Sequence, residues 1–132
     1  MVFVKAYAIT LVVFLGLDFL WLGFVARRFY ASQLSGHIRK NINYLAAGIF
    51  YLAYVAGIVF FAIAPALTEG SWRDATIHGA LLGLLAYGTY DITNMATLKN
   101  WPIAISFVDI IWGCALTGLS SLLGFLIVRA LT

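Results

Sequence analysis

Charged residues are scarce in this chain of 132 residues: they make up 10% of it, whereas hydrophobic residues make up 64%. A soluble domain is about 25% charged, so this scarcity of charge argues against a water-soluble globular protein. The eight lysines and arginines are scattered among apolar runs rather than clustered on a polar face, which argues against a nucleic-acid-binding surface. The apolar excess predicts a lipid-facing surface, with the bilayer as a partner.

Cysteine, histidine and the common catalytic motifs are also scarce or missing. Cys114 is the single cysteine, so no intrachain disulfide can form. The chain has no glycine-rich phosphate loop, no Ser-His-Asp set and no cysteine pair. Its two histidines, His37 and His78, fall on opposite sides of the predicted membrane, which argues against a haem or a histidine-based metal site. We therefore predict no metal site, and the sequence leaves any cofactor unknown.

What the chain does have is four long apolar runs. They cover about residues 6–26, 44–67, 75–98 and 102–128, and each reaches the roughly 20 residues that a transmembrane helix needs. The runs predict an all-α integral membrane protein, a four-helix bundle formed by a single domain over residues 1–132. No cleavage site follows the first run, so we expect a retained helix rather than a signal peptide. Pro65 is expected to end the second span.

The basic residues predict the orientation of the bundle. The connections after the first and third spans carry five lysines or arginines, whereas the opposite side carries three. Because positive residues favour the cytoplasmic side, we expect both termini outside. In the first connection, Tyr30, Leu34, Ile38 and Ile42 recur at every fourth position, which predicts a short amphipathic helix on the inner leaflet. An ordinary basic loop is the alternative, and Tyr30 also suits an interfacial anchor.

Three aspartates interrupt the apolar runs. Asp18, Asp91 and Asp109 are each the only acidic residue of their predicted span. At 1.5 Å per residue, all three lie about 12–14 Å from the cytoplasmic boundary, and Tyr51 of the second span lies at the same level. An ionisable side chain in hydrocarbon usually faces a partner, a cavity or a ligand, so the shared depth predicts a functional site. The alternative is a protonated carboxyl network that merely holds the helices together.

Helical spacing adds neighbours to each carboxyl group. Residues three positions apart share a helix face, which places Trp21 beside Asp18, Asn94 beside Asp91 and Trp112 beside Asp109. Each helix can therefore direct polar or aromatic side chains to the level of the aspartates.

Three stretches resemble a known bacterial family. They are LDFLWLG at residues 17–23, YDITNMATLKNWP at residues 90–102 and DIIWG at residues 109–113. They resemble a family of predicted membrane proteins of unknown function, domain-of-unknown-function family 2177, and the resemblance covers nearly the whole chain. It implies a multi-pass four-helix protein of the bacterial inner membrane and implies no activity. It also suggests that Thr93, Asn94 and Lys99 belong with the aspartates.

Three functional hypotheses follow from these residues. The first is a cavity in the cytoplasmic half that binds a cation, a proton or a small amphipathic ligand, with binding coupled to transport by a homo-oligomer. The three aspartates would supply charge, Tyr51, Tyr90 and Asn94 would orient the ligand, and Trp21 and Trp112 would wall the pocket. The second is an accessory subunit whose aspartates pair with a partner membrane protein. The third is an intramembrane enzyme that acts on a lipid-soluble substrate.

Overall fold

The computed structural model describes residues 2–33 and 43–132, which form five helices. Helix α1 covers Val2–Val25, α2 covers Arg27–Gln33, α3 covers Tyr44–Glu69, α4 covers Trp72–Thr97 and α5 covers Ile103–Leu131. The described residues contain no strand, so the predicted helical class is confirmed. Within the predicted amphipathic segment, Tyr30 belongs to α2, whereas Leu34, Ile38 and Ile42 lie outside the described residues.

Three of these helices are long and apolar enough to cross a membrane: α1, α3 and α5. They correspond to the first, second and fourth predicted spans. Helix α4 has 26 residues, but His78, Asp91, Asn94 and several threonines and glycines make it less apolar than the other three. The fourth membrane crossing, predicted over residues 75–98, stays a prediction.

The two ends of the described chain meet at one end of the fold, which we call the terminal end. Val2, Arg129 and Thr132 line one cavity there, and the Arg129 guanidinium donates a hydrogen bond of 3.1 Å to the Gly70 carbonyl. Gly70 ends α3 with a φ of 71°, a left-handed conformation that glycine adopts without strain. Ser71 then caps α4, because its Oγ accepts a hydrogen bond from the Asp74 backbone N–H.

The opposite end, which we call the α2 end, holds α2, the start of α3 and the turn between α4 and α5. Asn43 caps α3 by accepting a hydrogen bond of 3.0 Å from the Ala46 backbone N–H. In the turn, Asn100 has a φ of 58°, which asparagine tolerates better than most residues, so the chain reverses there within a few residues.

Two π turns interrupt the long helices. In α1 the Ala26 N–H bonds to the Trp21 carbonyl, and in α3 the Ala64 N–H bonds to the Val59 carbonyl, each five residues back. Proline has no N–H to donate and its ring clashes with the preceding helical turn. The wider π turn before Pro65 accommodates both defects, and α3 continues to Glu69. The prediction that Pro65 ends the second span was therefore wrong.

Helices α4 and α5 form the most extensive contact between helices. A Cβ atom on Gly83 would overlap the Gly113 carbonyl, and one on Gly79 would overlap the Ser121 side chain. Small residues of this kind let two helix backbones approach closely in a membrane protein. Helices α1 and α3 pack beside this pair through a buried cluster that includes Phe14.

Candidate functional site

Asp18 of α1 is bound by side chains from two other helices. The Tyr51 hydroxyl of α3 donates a hydrogen bond of 3.1 Å to Asp18 Oδ2, and the Trp112 Nε1 of α5 donates one of 3.2 Å to Oδ1. The Asp18 side chain is 7% exposed. One carboxyl group thus joins three helices, and each of its oxygens keeps a further acceptor position.

Two indole rings stack beside Asp18. The Trp21 and Trp112 ring centroids lie 4.6 Å apart, with 10° between the ring planes. Trp21 is the first residue of the π turn in α1, and its Nε1 donates a hydrogen bond of 3.3 Å to the Tyr30 hydroxyl. π turns often occur at functional sites, and this one sets the ring that links α1 to α2 and α5.

Asp109 of α5 is reached from α2. The Tyr30 hydroxyl donates a hydrogen bond of 3.0 Å to Asp109 Oδ1. Burial raises the pKa of the Tyr30 hydroxyl, so it keeps its proton and acts as the donor at neutral pH. Tyr30 was expected to be an interfacial anchor, but the chain turns back after Ala26 and brings the phenol to the carboxyl group.

Asp91 of α4 has a different environment. Its side chain is 1% exposed, and among the described residues no N–H or O–H group donates to either carboxyl oxygen. The Asp109 carboxyl group is the acidic neighbour of Asp91, and no hydrogen bond joins the two groups in the structure. Ionised carboxylates only accept hydrogen bonds, so a bond between the two aspartates requires a proton on one of them.

The backbone around Asp91 is held by the start of α5. Ser106 Oγ donates a hydrogen bond of 3.3 Å to the Asp91 carbonyl and accepts one of 2.9 Å from Trp101 Nε1. These bonds fix the position of Asp91 relative to α5 without involving its carboxyl group.

The structure does not bring every predicted residue to the aspartates. Tyr90 is 57% exposed and packs edge-on against Trp101. Thr93 and Lys99 are exposed, and Asn94 is half-buried near Tyr90. Tyr90 and Thr93 therefore lie on the outer face of α4 and Lys99 lies in the turn after it, whereas Asp91 is buried against α5.

A second set of polar contacts continues from the aspartates towards the terminal end. The Tyr54 and Thr117 hydroxyls lie 2.8 Å apart, and Ser121 Oγ donates a hydrogen bond of 2.7 Å to the Thr117 carbonyl. Thr117 and Ser121 were missed, although Asp109, Gly113, Thr117 and Ser121 recur at every fourth position of α5. Tyr30 had no comparable signal, because its contact depends on a chain reversal.

Phe14 packs against a tyrosine of each polar set. Its ring centroid lies 5.8 Å from that of Tyr51 and 5.6 Å from that of Tyr54, edge-on in both cases. The fully buried Phe14 ring therefore contacts both the Asp18 network, through Tyr51, and the Tyr54–Thr117 pair, through Tyr54.

The three aspartates do not gather around one point. Within residues 2–33 and 43–132, no three His, Cys, Asp or Glu side chains are arranged to hold a metal ion. Asp91 and Asp109 form one pair, and Asp18 has its own donors in Tyr51 and Trp112. The arrangement can hold a shared proton at the pair and can accept hydrogen bonds at Asp18.

Comparison with curated proteins and with solved structures found no significant match. The sequence model of one family, described as a predicted membrane protein of unknown function, matches residues 3–126. That range contains both aspartates of the pair, Asp18 and all five helices in whole or in part. The resemblance inferred from the three stretches is confirmed, and the chain belongs to the DUF2177 family of predicted membrane proteins.

Proposed function

We propose that this membrane protein binds an exchangeable proton at the Asp91–Asp109 carboxyl pair, and that proton exchange is coupled to the binding or transport of a small ligand. A buried carboxyl group without a hydrogen-bond donor is costly in a medium of low dielectric unless it is protonated or holds a cation. The single observation that carries the proposal is Asp91, which is 1% exposed, lacks a donor among the described residues and faces Asp109.

The contacts of the pair favour a proton over a metal ion. A divalent metal ion requires more ligands than two carboxyl groups provide. Asp18 does not join the pair, because it accepts hydrogen bonds from Tyr51 and Trp112. A shared proton requires two facing carboxyl oxygens and a neighbouring donor group that is compatible with both protonation states of the pair. Tyr30 supplies that group, because its hydroxyl can donate to Asp109 in either protonation state.

We further propose that α4 is the fourth membrane span and that both termini lie outside. Its length of 26 residues and its close packing along α5 support a crossing, and the arrangement of the termini at one end of the fold supports an even number of spans. The α2 end, with Arg27, Arg28 and Lys99, would then face the cytoplasm of a bacterial cell. The carboxyl pair would exchange its proton with that side.

Infrared spectroscopy tests the proton directly. Purified protein in a detergent without ester groups should show the carbonyl stretch of a protonated carboxyl group at neutral pH, and the band should shift in D₂O. Asp91→Asn should remove it, because Asp109 alone accepts hydrogen bonds from Tyr30 as a carboxylate. The exposed Glu69 provides the control, and Glu69→Gln should keep the band. A wild-type protein without the band at neutral pH would contradict the proposal.

Proteoliposomes test the coupling to transport. With a pH-sensitive dye inside the vesicles and an imposed pH gradient, wild type should move protons faster than Asp91→Asn and Asp109→Asn, and Glu69→Gln should match wild type. Equal proton movement in all four preparations would contradict the coupling to transport and would reduce the proposal to a proton-binding site. Reporters fused to each terminus test the orientation, and a cytoplasmic N-terminus would overturn it.

A further inference from the structure

A groove on the lipid-facing surface reaches Asp18 from the side. It lies between the second half of α1 and the first half of α3 and has a volume of about 550 Å³. This volume falls within the range of about 300–1,000 Å³ that is typical of small-molecule sites. Leu22, Phe19 and Tyr44 border the groove and are exposed, so it opens sideways into the bilayer rather than towards water.

The lining of the groove is apolar except at one end. Among the described residues that form it, Asp18 is the one charged side chain, and Tyr51 holds the Asp18 carboxyl group from the same wall. Gly48 has no side chain, and a Cβ atom there would meet nothing within 4 Å, so this part of the groove wall is open. The groove therefore combines an apolar channel with one carboxyl group whose two oxygens each retain an acceptor position.

We propose that this groove binds a single-chain amphiphile with a cationic ammonium head, which enters from the bilayer and places its head on Asp18. Charge complementarity selects the head, because an ammonium group neutralises the carboxylate and donates hydrogen bonds to it, whereas an anionic head would be repelled. The apolar wall formed by Phe19 and Leu22 selects the chain. The stacked pair of Trp21 and Trp112 lies beside Asp18 and adds aromatic surface near the charge.

This site goes beyond the proposed function, since Asp18 does not belong to the Asp91–Asp109 pair. The two sites are close enough to influence each other, because Trp112 binds Asp18 and stacks on Trp21, whose indole N–H binds Tyr30. Tyr30 in turn binds Asp109. Occupation of the groove and protonation of the pair thus act on one connected set of side chains.

Equilibrium binding of tritiated dodecylamine to the full-length protein in nanodiscs tests the groove, with empty nanodiscs subtracted. We expect saturable binding that unlabelled dodecylamine displaces and that dodecanol, with the same chain and no charge, displaces at least about tenfold less well. Asp18→Asn should weaken dodecylamine binding about tenfold or more, the loss expected of one charge-assisted hydrogen bond. Equal displacement by dodecanol would show that the charge of the ammonium head does not contribute to binding, and it would overturn the proposal.

Two glycines of α3 provide a matched pair of variants. Gly48→Leu should fill the groove and weaken dodecylamine binding to a similar extent. Gly57→Leu adds the same side chain to the same helix outside the groove, at a position where a Cβ atom also meets nothing within 4 Å, and should leave binding unchanged. Binding that survives Gly48→Leu, or that is lost equally in both variants, would contradict a site in this groove.

Asp91→Asn separates this inference from the proton site. It should remove the infrared band of the protonated carboxyl group and retain saturable dodecylamine binding. If dodecylamine binding instead required Asp91 and tolerated Asp18→Asn, the ammonium would bind at the carboxyl pair, and the groove proposal would be wrong.

Discussion

The α2 end and the terminal end of this protein are built on different principles. Near the α2 end, carboxyl, indole and phenol groups connect the helices by hydrogen bonds. Towards the terminal end, α4 and α5 approach through Gly79 and Gly83. Two buried hydroxyls there, Thr10 Oγ1 and Ser120 Oγ, have no hydrogen-bond partner among the described residues.

The difference distinguishes the helix contacts that hold the fold together from the carboxyl groups for which a function is proposed. Close packing of small residues provides van der Waals contact over long stretches of backbone and depends little on charge. The carboxyl–aromatic network contributes little per hydrogen bond, about 0.6 kcal/mol on average in membrane bundles, and leaves Asp91 without a donor. The close contact of α4 and α5 at Gly79 and Gly83 therefore acts as a clamp, and the α2 end holds the carboxyl groups of the proposed proton and ligand sites.

The largest effect is expected from breaking the clamp. Gly83→Val should lower the free energy of unfolding by about 3 kcal/mol, because the new side chain would overlap the Gly113 backbone and force α4 away from α5. Gly88 lies on the same helix where a Cβ atom meets nothing within 4 Å, so Gly88→Val should stay within about 0.5 kcal/mol of wild type. Unfolding of the purified variants in one detergent measures both. Equal losses would mean that the close contact does not hold the two helices together.

The next effect contrasts two carboxyl groups of the α2 end. Asp18→Asn should lower the free energy of unfolding by about 1 kcal/mol, because an amide oxygen can replace only one of the two acceptors that Tyr51 and Trp112 use. Asp91→Asn should be as stable as wild type or more stable, since no described N–H or O–H group donates to Asp91 and the new amide can donate to Asp109 in place of the shared proton. If thermal unfolding shows that the two variants lose equal stability, the predicted contrast between Asp18 and Asp91 is wrong.

A smaller effect is expected at Tyr30. Tyr30→Phe removes the bonds to Asp109 and Trp21 and should lower stability by about 0.6 kcal/mol for each of them at most. It should also increase hydrogen–deuterium exchange in α2, which the phenol holds against the bundle. Ser32→Ala on the exposed side of the same helix is the control and should leave hydrogen–deuterium exchange in α2 unchanged. Unaltered exchange in Tyr30→Phe would show that α2 is held by other contacts.

The smallest effect is expected at the unpartnered hydroxyls. Thr10→Val should stay within about 0.5 kcal/mol of wild type or be more stable, because it removes a buried hydroxyl that has no partner among the described residues. Thr117→Val removes the contact with Tyr54 and should be the less stable of the two. If thermal unfolding reverses this order, the Thr10 hydroxyl binds a group such as a buried water, and the terminal end is more than a clamp.

The sequence predicts the helices and part of the carboxyl network, for physical reasons. Rise per residue places Asp18 and Tyr51 at one level, and helical periodicity places Trp112 beside Asp109; the structure joins Tyr51 and Trp112 to Asp18. They do not predict which face of α4 meets α5. Tyr90, Thr93 and Lys99 were grouped with the aspartates, but Tyr90 and Thr93 lie on the outer face of α4 and Lys99 lies in the turn after it. The contact of Tyr30 with Asp109 depends on the reversal after Ala26, and the position of Trp21 depends on a π turn, neither of which has a clear signal in composition or spacing.

The glycine contact between α4 and α5 also bears on how the protein is made. An aspartate near the centre of a helix opposes insertion by about 2.5–3.5 kcal/mol, and α4 is the least apolar of the four long helices. Helix α5 brings the surface that Gly83 packs against and the carboxyl group that Asp91 faces. For the proposed four-span arrangement, we therefore expect α4 to enter the bilayer together with α5, as a hairpin, during synthesis. The shared proton would then be acquired as the two helices leave the translocation channel together.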